Sequence, residues 1–261
     1  MGRPVGSPED RSLSIVIPAF NEANRIGASL RCIAGYFAER SDLLESIVVD
    51  DGSQDVTSAV VHAISKDHPL VRLLRYPSND GKGFAVRHGV LSARGGRIAF
   101  CDADLSAPIE ELDQLLAYLD KGYDIAIGSR GLRVPEKRVH RRLFRRVMAA
   151  VFNRLVRALL VHNIRDTQCG LKAFKRSVVL SLFAQQDIPG FAFDVELLWR
   201  AQRLSYQIAE VPISWVADGE SRVRSGRDSL IMARDVVVLW FRKRVAPVFR
   251  AVGARVVSRK P

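Results

Sequence analysis

The sequence predicts an α/β domain with a mostly parallel central sheet and helices on both faces. Three observations lead there. Short apolar runs recur at Leu13–Pro18, Ser46–Asp50, Val71–Arg75, Ile98–Asp102 and Asp124–Ile127. They are the length of strands, and as near-continuous apolar runs they fit strands buried on both faces. Segments with helical spacing separate them, which is the βαβ pattern. Each run ends in polar or charged residues, where such sheets place their ligands.

In chain order, Met1 to Ser12 has no apolar core and reads as a flexible tail (1–12). The first strand stops at Pro18, and Asn21 is placed to cap a helix over Glu22–Phe37. The second strand leads into Asp50-Asp51-Gly52-Ser53 and a helix from about Asp55 to Lys66. Beyond the third strand, Asn79-Asp80-Gly81-Lys82-Gly83 turns into a helix over Phe84–Arg94. Pro108, Glu110 and Glu111 mark the next helix start, where acids complement the dipole. The fifth strand runs into Gly128-Ser129-Arg130. Asp166 to Phe174 reads as a turn and a short strand, Phe193-Asp194 opens a helix, and Val211–Trp215 reads as an edge strand.

Asp102 and Asp104 carry the strongest chemical signal. Two carboxylates one residue apart at a strand end can face one point. Their hard oxygens suit Mg²⁺ or Mn²⁺, cations usually held by one or two carboxylates together with substrate phosphates. The other reading of Asp-Ala-Asp is a solvated loop with a helix cap. No G-x-G-x-x-G follows the first strand, and Asp80-Gly-Lys-Gly83 lacks P-loop spacing. Cys32, Cys101 and Cys169 are scattered and no C-x-x-C occurs, which argues against a disulfide framework or zinc knuckle and fits a reducing cytoplasm.

The formal net charge is +12 at pH 7, a balance suited to anionic partners. The excess is local. Ten Lys/Arg against Glu136 alone lie between Arg130 and Arg157, and eleven against Asp228 and Asp235 lie from Arg222 to the end. Val139 to Leu160 spaces apolar residues as a basic amphipathic helix. It fits a membrane interface or a helix packed on its own domain with a solvated basic edge. Ser229–Arg242 is a second helix of this kind, within a C-terminal segment (226–261) of helix and basic tail. No apolar run is long enough to span a bilayer. Nucleic-acid binding is disfavoured, because stacking aromatics do not interleave with the basic residues.

Taken together, Ile17-Pro-Ala-Phe-Asn-Glu22, Val49-Asp-Asp-Gly-Ser53, Asp102-Ala-Asp104, Gly128-Ser-Arg130, Asp166-Thr-Gln-Cys-Gly-Leu-Lys-Ala-Phe174 and Phe193-Asp-Val-Glu-Leu-Leu198 resemble the inverting nucleotide-sugar glycosyltransferases of the Rossmann-like GT-A fold. Within these, the chain looks most like the dolichyl- or polyprenyl-phosphate sugar synthases. The Asp-Thr-Gln-Cys-Gly segment and Trp215…Gly219-Glu-Ser-Arg222 look like those of dolichyl-phosphate β-glucosyltransferases.

The resemblance implies a glycosyltransferase domain over 13–225 and a role for each motif. Pro18, Ala19, Asn21, Glu22, Asp50, Asp51, Lys82, Arg87, Asp102 and Ala103 would bind the nucleotide sugar, with a UDP-sugar favoured. Asp102 and Asp104 would hold the metal. Arg130, Arg145 and Arg222 would meet phosphate or the acceptor, and Asp166 and Asp194 are the catalytic candidates. Ser106 stands where mannosyl-type relatives often carry Gln, and Ala149 where relatives carry Ser.

The implied reaction moves a sugar, glucose from UDP-glucose, onto dolichyl or polyprenyl phosphate. It is placed in the cytoplasm, peripheral on the membrane's cytoplasmic face. The alternatives are another donor such as GDP-mannose, a hydroxyl acceptor that would need a true base, or a basic nucleic-acid- or membrane-binding module.

Overall fold

A computed structural model describes residues 11–130, 152–216 and 227–242. Among these, seven strands form one sheet: β1 (Leu13–Ala19), β2 (Leu43–Asp51), β3 (Val71–Tyr76), β4 (Arg97–Phe100), β5 (Ile125–Ser129), β6 (Lys172–Lys175) and β7 (Ile208–Pro212). The order is β3-β2-β1-β4-β6-β5-β7. All pairings are parallel except those of β6, which runs antiparallel to both β4 and β5. The predicted mostly parallel sheet is therefore observed.

Alternation along each strand divides the core. Val16, Ile47, Val49, Ile98, Phe100, Ile125 and Ile127 pack into one cluster. Ile15, Ile17, Val48, Ala99 and Ala126 pack into the other. Successive strand residues point to opposite faces, so both faces must be covered. On the second face lie α1 (Ile26–Tyr36), α2 (Thr57–Asp67) and α4 (Glu111–Asp120). On the first lie α3 (Lys82–Ser92), the helix α5 over 152–159, α6 (Arg176–Phe183), α7 (Phe193–Arg203) and α8 (Arg227–Trp240). In α1, Ile26, Leu30 and Ile33 are spaced for one face and fully or almost fully buried. Each such side chain stabilises the fold by about 1.5–3 kcal/mol relative to exposure.

Three local expectations need correction. Asn21 does not cap a helix. It adopts φ 55° in the left-handed region, and its Oδ1 accepts the Gln54 and Asp55 N–H groups at 2.8 and 3.3 Å. It thus clips the β1 exit to the β2 exit, and α1 starts later, at Ile26. β4 ends at Phe100, leaving Asp102 in the loop beyond the sheet. β7 pairs over Ile208–Pro212 and not Val211–Trp215. Past Pro212 the chain leaves the ladder, with Ser214 N bonded to the Glu111 carboxylate and Val216 N to the Ser106 carbonyl.

Of the first basic segment, Arg130 to Arg157, residues 131–151 lie outside the described residues, and the described part of its expected helix is helical over 152–159. No helix among the described residues is long and apolar enough to cross a membrane. Leu230, Val237, Val238 and Phe241 in and just after α8 are exposed.

Candidate active site

The site lies beyond the carboxyl ends of β1, β2 and β4. Because β6 is antiparallel, its first residue, Lys172, pairs with Phe100 at the end of β4 and with Ile127 of β5. The loop Asp166–Leu171 is thereby carried to the same edge as Asp102.

Four alternating charges meet there. Lys82 Nζ is 2.5 Å from Asp102 Oδ1. Lys172 Nζ donates to Asp194 Oδ1 at 2.7 Å and to the Cys169 carbonyl at 2.6 Å, and sits 5.4 Å from the Phe100 ring centroid. Lys172 has no exposed surface and Asp194 is 3% exposed. Burial alone would raise the pKa of Asp102, but Lys82, Lys172 and Arg130 outweigh it and hold the carboxyl below its ordinary value. Burial alone would depress Lys82, yet Asp102, Asp194 and Asp104 keep its pKa above the usual lysine value. For Asp194 burial dominates and pushes its pKa up, against the pull of Lys172 and Lys82.

Asp102 is fixed on its other side by backbone. A Cβ at Gly170 would lie 2.0 Å from Asp102 Oδ2, so only glycine admits the carboxylate here. Asp104 has no lysine bonded to it among the described residues. Its Oδ1 accepts the Ser106 N–H at 2.9 Å, and its Oδ2 is 3.9 Å from Arg25 Nη1. Arg25 is itself paired with Glu22 at 2.7 Å. Leu105, at φ 47°, makes the tight turn after the pair.

Arg130 closes the next strand end. Its Nε and Nη2 grip Asp166 at 2.7 and 2.8 Å, its backbone N–H adds a 3.0 Å bond, and its guanidinium lies 4.8 Å from the Trp215 ring centroid. Glu210 of β7 accepts the Arg165 and Asp166 N–H groups, which sets the loop's position.

At β2, the fully buried Asp50 accepts Ser53 N–H at 2.9 Å and the Ser58 hydroxyl. Asp51 accepts Asp80 and Gly81 N–H at 3.1 and 2.7 Å. Burial raises the Asp51 pKa against those two donors. Pro18 and Ala19 end β1, and Ala103 is buried with its carbonyl on Ser29 Oγ. Lys82, Lys172 and Arg130 thus stand around the carboxylates of Asp102, Asp166 and Asp194.

The model for glycosyl transferase family 2 matches residues 14–183, well over half of the chain. The chain belongs to glycosyl transferase family 2. A dolichyl-phosphate beta-glucosyltransferase of Drosophila melanogaster is 38% identical over 247 residues, covering 88% of this chain and 74% of that protein. One of Saccharomyces cerevisiae is 34% identical over 249 residues, covering 88% and 75%. Glucosyl-3-phosphoglycerate synthase from Mycobacterium tuberculosis, solved with Mn²⁺, UDP-glucose and phosphoglyceric acid, superposes with a TM-score of 0.64 at 24% identity over 92% of this chain and 84% of that one. That likeness shows the fold. The resemblance drawn from the motifs thus holds at the level of fold, family and enzyme class.

Within this transferase, most sequence-predicted residues converge: Pro18, Ala19, Asn21, Glu22, Asp50, Asp51, Lys82, Asp102, Ala103, Asp104, Arg130, Asp166 and Asp194 all lie at or beyond the strand ends or on segments bonded to them. Arg87 is the exception. It follows Lys82 by five residues, about 140° round the helix, and its guanidinium donates to the Phe183 and Ala184 carbonyls at 2.9 and 2.8 Å. It caps α6 and does not face the acids. Arg145 and Arg222 lie outside the described residues. Lys172 and Gly170 lie within the Asp166–Phe174 motif, but sequence alone assigns them no role, although a lysine inside an otherwise apolar strand is a usable signal.

The Arg130–Asp166 pair gives a pH prediction. Burial raises the Asp166 pKa but Arg130 outweighs it, so the folded value is depressed below the unfolded ~3.9. Such a group contributes stability that is complete above the unfolded pKa and is lost as pH falls through the folded one. Asp166→Asn is expected to cost about 3 kcal/mol near neutrality. The gap should narrow below about pH 4. Thermal melts of both proteins from pH 7 to 3 check this, and a gap constant across that range counts against it.

Proposed function

We propose that this enzyme transfers glucose from UDP-glucose to a dolichyl or polyprenyl phosphate, using a divalent cation, at the cytoplasmic face of a membrane. The observation that carries this reading is the state of the two catalytic candidates. Asp166 is held by two guanidinium nitrogens of Arg130 and Asp194 by the buried Lys172. Asp166, its pKa depressed by Arg130, is a poor proton acceptor, and Asp194, although burial raises its pKa, is 3% exposed and committed to Lys172, whereas a hydroxyl acceptor would require an accessible base. A phosphate monoester has a second pKa near 6 and arrives ionised. Its oxygen attacks the anomeric carbon, the bond to the UDP oxygen breaks, and the configuration inverts. No proton has to be removed.

The cation fits the donors present. Asp102 and Asp104 offer hard carboxylate oxygens, and the described residues hold no cluster of three or more His, Cys, Asp or Glu that would form a self-sufficient cage. That suits Mg²⁺ or Mn²⁺ completed by substrate oxygens. When bound, the ion would neutralise charge on the leaving diphosphate. Asp51, Asn21 and Glu22, with Asp50 behind them and Pro18 and Ala19 beside them, would line the nucleoside side. Lys82 and Ala103 would lie along the diphosphate. Arg130 would face phosphate with its remaining donors, joined by Arg145 and Arg222. The curated relatives are named as dolichyl-phosphate glucosyltransferases, which supports the acceptor and sugar. The exposed apolar side chains of α8, beside the exposed Arg234, suit contact with an anionic lipid surface.

A donor panel offered with polyprenyl phosphate and Mg²⁺ or Mn²⁺ tests the reading. UDP-glucose should be the best donor, with UDP released and a glucolipid formed, and polyprenol should not replace its phosphate. Equal transfer to polyprenol would contradict the phosphate acceptor.

A further inference from the structure

We infer that the Lys82 ammonium occupies the cation's side of Asp102 until the donor diphosphate draws it away. Cation and nucleotide then bind as a coupled pair, with Lys82 as the positioning residue between them. The inference rests on the proposed cation at Asp102 and Asp104.

Three features support it. Asp102 has two oxygens and two different walls. Oδ2 faces the Gly170 backbone, where even a methyl group would collide at 2.0 Å. Oδ1 is covered by Lys82 Nζ at 2.5 Å. A cation therefore approaches Asp102 from the side where the ammonium sits, and two positive charges cannot share it without strong repulsion. At Asp104 the guanidinium of Arg25 stands farther off, at 3.9 Å, so the obstruction is concentrated on Asp102.

The backbone that carries Lys82 is immobilised. Gly81 N and Asp80 N are bonded to the Asp51 carboxylate. Phe84 N bonds to the Pro189 carbonyl at 3.0 Å, and Gln186 donates to the Gly83 carbonyl at 2.9 Å. Gly81 has φ +110°, and a Cβ there would lie 2.6 Å from the Pro189 carbonyl oxygen. The turn cannot retreat, so Lys82 leaves Asp102 only by rotating its flexible side chain.

The exchange is also balanced in charge. Lys82 leaving Asp102 exposes one carboxylate, which the cation neutralises, while the diphosphate supplies the anion that receives the ammonium. Without nucleotide, release would leave the ammonium only Asp194, already bonded to Lys172, and Asp104, the other proposed cation ligand, as nearby anions. Lys172 cannot substitute at Asp102, because it is committed to Asp194 and the Cys169 carbonyl.

The test is Mn²⁺ binding to the full chain, read as loss of the free-ion paramagnetic resonance signal, with and without UDP. Wild type should bind Mn²⁺ weakly alone. UDP should tighten it by more than UDP's own chelation explains. Lys82→Gln and Lys82→Met, each checked for a cooperative melt, should bind Mn²⁺ alone at least about tenfold tighter than wild type. Lys82→Arg, which keeps the charge, should stay weak.

Wild type binding Mn²⁺ equally well without UDP would overturn the inference, as would a folded neutral variant binding it no tighter than wild type. Absence of binding in every protein, with UDP present, would instead sink the cation reading itself and the inference with it. A neutral variant that binds Mn²⁺ tightly but belongs to an enzyme forming no glucolipid would support the role of Lys82 while removing the proposed reaction.

Discussion

Asp104→Ala is expected to lower transfer by about 10²–10³-fold while leaving the fold intact. The magnitude is that of removing one preorganised group that stabilises developing charge. The fold should survive because Asp104 is held by few bonds. It accepts one bond from Ser106 N and stands 3.9 Å from Arg25, so its loss costs roughly 1 kcal/mol. Asp102, by contrast, anchors Lys82 and packs on Gly170, and its removal would mix structural and chemical effects. Turnover under saturating donor and acceptor, beside a thermal melt, separates the two. A variant with normal melting and near-normal turnover would show that the carboxylate does not serve the diphosphate.

Gly170→Ala is the second large effect, from a residue with no chemistry of its own. The added methyl group would lie 2.0 Å from Asp102 Oδ2 and 2.4 Å from its Cγ. Something must move. The Gly170 loop is held at both ends, by Arg130 on Asp166 and by the Gly128 N–H on the Leu171 carbonyl at 2.9 Å. Lys172 also holds the Cys169 carbonyl. The carboxylate therefore yields. A displacement on the order of 1 Å in a positioned group can cost about 10²-fold in rate, and overpacking of this kind costs about 1–3 kcal/mol in stability. Transfer rate and Mn²⁺ affinity in the presence of UDP should both fall. Normal values of both would mean that the contact between Gly170 and Asp102 does not set the site.

Much of this architecture is legible in the sequence for a physical reason. A strand buried on both faces has to be apolar at nearly every position, so β1, β2, β4 and β5 stand out as runs. Their ends are marked by polar or charged residues: Asn21, Asp50 and Asp51, Asp102 and Arg130. The converging site followed from those ends, and Asp51, Asp102 and Arg130 lie where they point. What local pattern does not encode is β6. Its antiparallel insertion between β4 and β5 is a non-local pairing, and it alone brings Lys172 and Gly170 against Asp102. The resemblance implies Arg87 at the nucleotide, whereas helix phase turns it toward the Phe183 and Ala184 carbonyls. Asn21 was misread because a cap and a left-handed loop residue use the same side chain, and only the tertiary partners Gln54 and Asp55 distinguish them.

The central claim is that a divalent cation at Asp102 and Asp104 grips the diphosphate while an already ionised lipid phosphate attacks the sugar. Its most direct measurement is glucolipid formation from labelled UDP-glucose and polyprenyl phosphate, before and after a chelator, with Mn²⁺ or Mg²⁺ then restored. The account predicts transfer that stops on chelation and returns with either ion. Undiminished transfer in the chelator would contradict it.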